Sequence, residues 1–330
     1  HQDGLYVALL ASIIQWMTSV DGVPVDFSGG ENYEGVASLR DMGELAERLG
    51  GKEIGVALIS RTDPAASLPP RYLFGEKLAG AKLRVVIGQF AGETARDADV
   101  VLPLSHPLET WDDAEPRKGT RSLLKPAVRP MHGTLSEGDI LVRIAGKLPG
   151  AEFSSTYQEY LYGEWKNLFG EAGRDEFLQK GFMETPRERH RVAVDWERAA
   201  ELFGKRPGEL TPRKPLLVLA PSIRTFDGRS RDLPLLSEIP DPLTTISYGR
   251  FISVPEETAR KMGVRDKDEV EVRSAGWKGT LAVKVQPGLA EGVFVMFRDA
   301  HGDVGVDEGT GGTVDYREGL VITRTGRRVS

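Results

Sequence analysis

Residues 92–146, GETARDADVVLPLSHPLETWDDAEPRKGTRSLLKPAVRPMHGTLSEGDILVRIAG, constrain the chain most, because their order of elements is hard to reach by chance. A polar Gly92-Glu93-Thr94 turn precedes a short apolar run, residues 99–103, that closes on Pro103. A polar loop with Glu109 and the acidic pair Asp112 and Asp113 follows, then a Gly119-Thr120 turn, a proline-punctuated basic connection and an amphipathic run over 139–148. Upstream, residues 6–17 carry apolar side chains at helical spacing and stop at Asp21-Gly22. Residues 38–49 place Leu39, Met42, Leu45 and Leu49 on one side of a second helix ended by Gly50-Gly51. The runs 54–59, 83–87 and 100–102 predict buried strands, with a helix over 71–78 between the first two. Strand alternating with helix predicts an α/β fold on a parallel sheet, whose ligands bind beyond the carboxyl ends of the strands. Those ends are residues 60–64, 88–94 and 103–106.

Composition narrows the function classes. With 330 residues and 40% hydrophobic content, the chain can bury about two domain cores. Its 43 Lys and Arg against 49 Asp and Glu leave a net charge of −6, which gives no general attraction to nucleic acid. The absence of cysteine excludes disulfides, thiolate metal ligands and a cysteine-held iron–sulfur cluster in this chain. Electrons would have to pass through other polypeptide. The longest apolar run, residues 5–17, is shorter than the roughly 20 residues a membrane span needs. His1, His106, His132, His190 and His301 show no zinc-ligand spacing, and no phosphate-loop, metalloprotease, nucleophile-elbow or dinucleotide fingerprint is present. The glycine-rich residues 308–313 read as a loop. Beginning at His1 with an almost immediate helix, the sequence reads as a piece: one product of a split gene, a processed chain, or a chain without its N-terminal half.

The second half changes character. Residues 151–210 are rich in charge and aromatics and predict a helical connection, with the basic run 187–191 as a solvated helix face or subunit contact. From Pro215 on, strand-like runs at 216–219, 245–247, 270–273, 280–285 and 293–297 alternate with Gly and Pro turns. A helix over 255–262 stops at Gly263. A β-rich barrel is predicted.

The ET…ADVVLP order of residues 93–103, followed by a glutamate and a glycine turn, resembles the molybdopterin oxidoreductase family, the enzymes related to dimethyl sulfoxide reductase. Residues 252–296, ISVPEETARKMGVRDKDEVEVRSAGWKGTLAVKVQPGLAEGVFVM, resemble that family's C-terminal double-psi β-barrel. The resemblance implies a parallel-sheet, Rossmann-like α/β domain over 1–150, a helical connection over 151–210 and the barrel over 211–330, together the C-terminal half of such a subunit. The sequence departs from the family pattern in several places. The family's GTNP turn reads Ser60-Arg61-Thr62-Asp63-Pro64 here, its TET turn reads Gly92-Glu93-Thr94, and its Asn-Glu-Gly-Arg turn survives only as Lys118-Gly119-Thr120 with Arg121 displaced. Trp111-Asp112-Asp113-Ala114 and residues 222–244, SIRTFDGRSRDLPLLSEIPDPLT, look closer to the respiratory branch, which includes the large subunits of the menaquinone reductase complex and of alternative complex III. In that branch the fold is kept without the metal cofactor.

Carried over position by position, the resemblance marks Thr62, Asp63, Thr94, Glu109, Arg224, Thr225 and Asp227 as cofactor-binding positions, vestigial here, with no catalytic residue and no metal ligand. Each has a structural alternative. Asp63-Pro64 can simply start a turn, Thr94 can cap a helix, Asp227-Gly228 can form a tight turn, and Arg224 and Arg229 can pair locally. His106 can shuttle protons or be a hydrogen-bonded loop histidine. The implied function is a scaffold within a membrane-associated respiratory complex that moves electrons between menaquinone and cytochrome c or iron–sulfur partners, with no molybdenum cofactor of its own. The implied partners are an N-terminal half or subunit carrying the rest of the fold, iron–sulfur and cytochrome c subunits and an integral membrane quinone-binding subunit. The implied place is the periplasmic face of the cytoplasmic membrane, peripherally bound. The alternative is half of a genuine molybdenum or tungsten enzyme, such as a polysulfide or thiosulfate reductase, sharing molybdopterin guanine dinucleotide with an N-terminal half. A free-standing binding module is a third reading.

Overall fold

A computed structural model describes residues 4–18, 30–68, 72–150, 156–186, 193–204, 215–226, 233–274, 277–298, 315–318 and 320–329. Helix α1 (Gly4–Met17) is followed by α2 (Leu39–Gly50). The start of α2 is set by a capping box: the Ser38 hydroxyl accepts from the Asp41 N–H, and the Asp41 carboxylate accepts in return from the Ser38 N–H. Strands β1 (Val56–Ser60), β2 (Leu83–Gly88) and β3 (Val100–Pro103) pair in that order, all parallel. Short helices α3 (Pro64–Ser67), α4 (Phe74–Leu78) and α5 (Glu93–Arg96) make the connections. One face of the sheet buries Ile59 and Val86 against Ala46 and Leu49 of α2 and Phe74 and Leu78 of α4. On the other, Val85 and Ile87 pack against Ile140 of α6 (Glu137–Ala145). The order expected from the sequence is thus the order found.

Two strands of this sheet are fastened by charge. The Arg84 guanidinium donates to both carboxylate oxygens of Asp99, at 3.0 and 2.8 Å, and the Arg84 N–H adds a third bond at 2.8 Å. These donors hold the Asp99 carboxyl down at about 2.

Residues 107–124 differ from expectation. Where the sequence suggests a polar loop, the chain makes a 3-10 turn at Pro107–Glu109 and then a β-hairpin, β4 (Asp112–Arg117) and β5 (Thr120–Leu124), turning through Lys118 and a left-handed Gly119. A third strand, β6 (Phe182–Glu184), pairs antiparallel with β5 and follows the long helix α7 (Tyr157–Lys180), which breaks at Gly170. Leu161, Trp165 and Phe177 of α7 form a small core with Trp111 and Leu123 of the hairpin region. Helix α8 (Trp196–Gly204) packs on α1 through the Tyr6–Phe203 and Trp16–Trp196 ring pairs.

The second sheet has seven strands in the order β12-β7-β11-β8-β10-β9-β13. They are β7 (Leu216–Pro221), β8 (Phe251–Pro255), β9 (Asp268–Ser274), β10 (Trp277–Gln286), β11 (Val293–Arg298), β12 (Asp315–Glu318) and β13 (Val321–Arg328). Parallel pairs, β7 with β11 and β8 with β10, mix with antiparallel ones. Its core is aliphatic, with Leu217, Leu219, Ile252, Val254, Val270, Val272 and Leu281 almost fully buried, and α10 (Glu256–Met262) closes it through Ala259. Helix α9 (Pro234–Glu238) lies in the loop between β7 and β8. One expectation is corrected. Residues 245–247 form no strand, because Asp241 organises that stretch into turns and Thr245 takes a left-handed φ of 61°. The end strands β12 and β13 of this mixed sheet do not pair with each other among the described residues. The basic run 187–191, the glycine-rich residues 308–313, Asp227, Arg229, His1, His190 and His301 lie outside the described residues. Among those described, no helix is long and apolar enough to cross a membrane.

Candidate functional site

The carboxyl ends of β1 and β2 bring together two of the positions singled out in the sequence. Asp63 leaves β1 just before Pro64, and its carboxylate reaches the start of α5. One oxygen accepts from the Glu93 N–H at 2.8 Å; the other accepts from the Thr94 N–H at 2.9 Å and the Thr94 hydroxyl at 2.5 Å. The same hydroxyl oxygen accepts from the Ala65 N–H at 3.0 Å. Helix α5 has no capping side chain of its own, since its N-cap is Gly92. Asp63 supplies the missing acceptor from 30 residues upstream, placing negative charge where a helix start attracts it.

Gly92 is required by this arrangement. A Cβ there would run into the Asp63 carboxylate, so no larger residue fits while Asp63 holds its place. Two sequence departures therefore form one feature. With threonine at 92, the helix could be capped by its own side chain, and an asparagine at 63 would be free to turn elsewhere. With glycine at 92, residue 63 must offer two acceptor oxygens, which an ionised aspartate has and asparagine lacks. Thr62 stands exposed beside this clasp.

Glu109 is occupied in a similar way. Its carboxylate accepts from the His106 N–H at 2.9 Å and the Met131 N–H at 3.0 Å, and these two donors, Met131 first, lower its pKa. His106 in turn accepts at Nδ1 from the Leu108 N–H at 3.1 Å. Both side chains brace the loop after β3 and belong to its turn.

The acidic pair that follows is the centre of a polar network. Asp113 accepts from the buried Trp165 indole N–H at 2.6 Å and from Arg121 at 2.9 Å. Asp112 accepts from the Tyr157 hydroxyl at 3.1 Å and lies 3.8 Å from Arg61, whose guanidinium also meets Glu137 at 2.8 Å. Burial first, and then the Asp112 charge, raise the Tyr157 pKa. Gly138 lets the Tyr157 ring lie against the first turn of α6, where a Cβ would overlap the ring. Arg61, at the end of β1, has a left-handed φ of 54° while its N–H continues the ladder to the Ile87 carbonyl at 2.9 Å. The network thus ties β1, the hairpin, α6 and α7 together. Tyr157, Trp165 and Arg61 are members that the sequence did not single out; the adjacent carboxylates at 112 and 113 were the available signal.

The remaining candidates follow β7. The Arg224 guanidinium donates from one nitrogen to the carbonyls of Ser237 and Ile239, each at 3.3 Å, and to that of Ser247. Ser222 and Phe226 close the turn by exchanging backbone hydrogen bonds at 2.7 and 2.8 Å. Thr225 is buried; among the described residues its Oγ1 and the Arg224 Nε have no hydrogen-bond partner. Asp241, also buried, accepts from the Leu243 and Thr244 N–H groups and the Thr244 hydroxyl. Asp227 lies outside the described residues.

The described candidates therefore fall into three separate neighbourhoods, and in each the acceptor or donor groups are turned mainly to the chain's own backbone. Asp63 and Glu109 present acceptors already in use, and one guanidinium nitrogen of Arg224 is committed to carbonyls, while its Nε is not. Among the described residues no cluster of His, Asp or Glu is arranged to hold a metal ion.

No family model matches the chain. The chain is 27% identical over 252 residues to a protein described as menaquinone reductase, molybdopterin-binding-like subunit, from Nitratidesulfovibrio vulgaris; the match covers 72% of this chain and 35% of that protein. In structure it is similar to acetylene hydratase from Pelobacter acetylenicus, with a TM-score of 0.53 and 14% identity, over 81% of this chain and 43% of the other. The chain thus spans about a third of the length of the curated relative it matches.

Proposed function

We propose, on the premise that this chain is a relative of the molybdopterin oxidoreductases, that it is a scaffold portion of a respiratory subunit that does not itself hold a molybdenum or tungsten cofactor. The observation that carries this reading is the clasp: the one position where the sequence resemblance would expect a pterin-facing amide is an aspartate locked onto Glu93 and Thr94. Glu109 and Arg224 support it, since both are spent on backbone groups of this chain. A pterin dinucleotide supplies phosphates and a ring edge that need donors, and the described candidates present few.

In this reading the seven-stranded sheet is the family's double-psi barrel, residues 1–150 and 211–330 are its two domains joined by 151–210, and the chain works within a periplasmic, peripherally attached assembly. Its partners are the polypeptide carrying the rest of the fold, iron–sulfur and cytochrome c subunits that move electrons, and a membrane subunit that handles menaquinone. Metal analysis of the complex purified from its natural source tests it. We expect no molybdenum or tungsten stoichiometric with this chain; one atom per chain would overturn the scaffold reading in favour of the polysulfide- or thiosulfate-reductase class.

A further inference from the structure

The segment between β7 and β8 has its polarity reversed. Its buried side chains are polar: Ser222, Thr225, Asp241 and Thr244. Five of its large apolar ones face outward: Ile223, Leu235, Ile239, Leu243 and Tyr248 are each half or more exposed, from 50% for Ile239 to 79% for Leu243, while Leu236 and Ile246 are part-buried. Ordinary surface loops are built the other way round. Among the described residues, Thr225 Oγ1 and Arg224 Nε are covered without hydrogen-bond partners.

The loop is also held in shape. Arg224 draws the carbonyls of Ser237, Ile239 and Ser247 to one point, which gathers the residues that flank them, and the Asp241 turn presents Leu243.

The choice of occupant follows from charge and from chain length. Between residues 222 and 248 the sequence has Arg224, Arg229 and Arg231 against Asp227, Asp232, Glu238 and Asp241, three positive and four negative. An anionic lipid surface calls for a basic excess, which is absent. The curated relative and the structural neighbour are each more than twice as long as the part matched here, so their remaining polypeptide must pack on some surface of this fold. We propose that the apolar face of Ile223, Leu235, Ile239, Leu243 and Tyr248 is the docking surface for the polypeptide that carries the remainder of the molybdopterin-type fold. This inference rests on the reading that such a polypeptide accompanies the chain.

Photo-crosslinking in the natural assembly tests it, with p-benzoylphenylalanine at position 248 and, in a second experiment, at exposed Tyr33 as a control. We expect crosslinks from 248 into the remainder of the fold, whether it is a separate chain or continuous with this one, and at least a tenfold loss of them in the variant L235E/L243E. The variant L235M/L243M should crosslink like the parent. Because both leucines are exposed, the glutamate variant should keep the parent's circular dichroism and melting temperature. Crosslinks from 248 only to lipid or to a second copy of the chain would overturn the choice of occupant. Undiminished crosslinking by a folded L235E/L243E variant would overturn the surface. If the assembly contains no polypeptide with the rest of the fold, the underlying reading fails along with this one; if it does and 248 does not reach it, only this inference fails.

Discussion

At the scale of single residues, the pair Asp63 and Gly92 shows how a structure joins what a sequence lists separately. Each position reads as an isolated departure from a family pattern, and the turn explanation for Asp63-Pro64 is adequate taken alone. Only the fold reveals that the carboxylate fills the space a side chain at 92 would need and does that side chain's capping work. Asp63→Asn would set an amide NH₂ against the Glu93 or Thr94 N–H and should destabilise the chain by about 1–3 kcal/mol. Gly92→Thr alone should also destabilise it, by steric conflict. In the double variant the threonine can cap α5 itself, so at least half of the summed loss should return. Denaturant unfolding of the four proteins measures this coupling; strictly additive losses would refute it. A similar argument applies to Gly138, where alanine would push the Tyr157 ring off α6 and cost about 1–3 kcal/mol, measurable by the same method.

At the scale of elements, legibility followed residue type. The strands of the parallel sheet are aliphatic runs flanked by turn signals, so β1, β2 and β3 could be read with boundaries off by no more than two residues. Strands β4 and β5, DDAEPR and TRSLL, have almost none of the β-branched or aromatic residues that mark strands. Their pairing is supported by the Asp113–Arg121 bond within the hairpin and by the bond of Asp113 with Trp165, which crosses 52 residues of sequence. Replacing Trp165 by Phe keeps much of the ring packing with Phe177 but removes the indole donor from Asp113. We expect a loss of about 1–3 kcal/mol, with the β4–β5 amides losing most protection in hydrogen exchange. The β2–β3 junction should respond to pH. The folded Asp99 carboxyl titrates at about 2, below its ordinary 3.8, so its stabilising bonds to Arg84 are complete above about pH 4 and are lost as pH falls towards 2. Asp99→Asn should flatten that part of the acid-unfolding curve; an unchanged curve would show that the pair contributes nothing.

At the scale of the whole molecule, the three-stranded parallel sheet leaves Val56, Leu58, Val100 and Val101 exposed. Parallel sheets are normally covered on both faces, and this one lacks part of its cover in the described chain. Purified by itself, the chain should bind the dye anilinonaphthalene sulfonate while keeping a cooperative melting transition, and the assembly proposed above should bind little. Equal dye binding by both would contradict the view that the exposed strands are interior surface. The sequence conveyed the order of elements and the likeness to a longer protein. It could not convey that the second sheet is open among the described residues, since closure depends on how distant strands meet, nor that the loop after β7 leaves Leu235 and Leu243 exposed, since that loop is held by Arg224 through carbonyls 13 to 23 residues away.

The clasp between Asp63 and Gly92 also limits what can change next in this protein. To free residue 63 for another ligand, the helix start must first be given a different cap; to enlarge residue 92, the carboxylate must first leave. Either first move lowers stability, and only the two together recover it. The pair therefore behaves as a ratchet: a lineage that has passed through it returns to the earlier arrangement only by two coordinated changes, and mutational drift one residue at a time tends to keep it where it is.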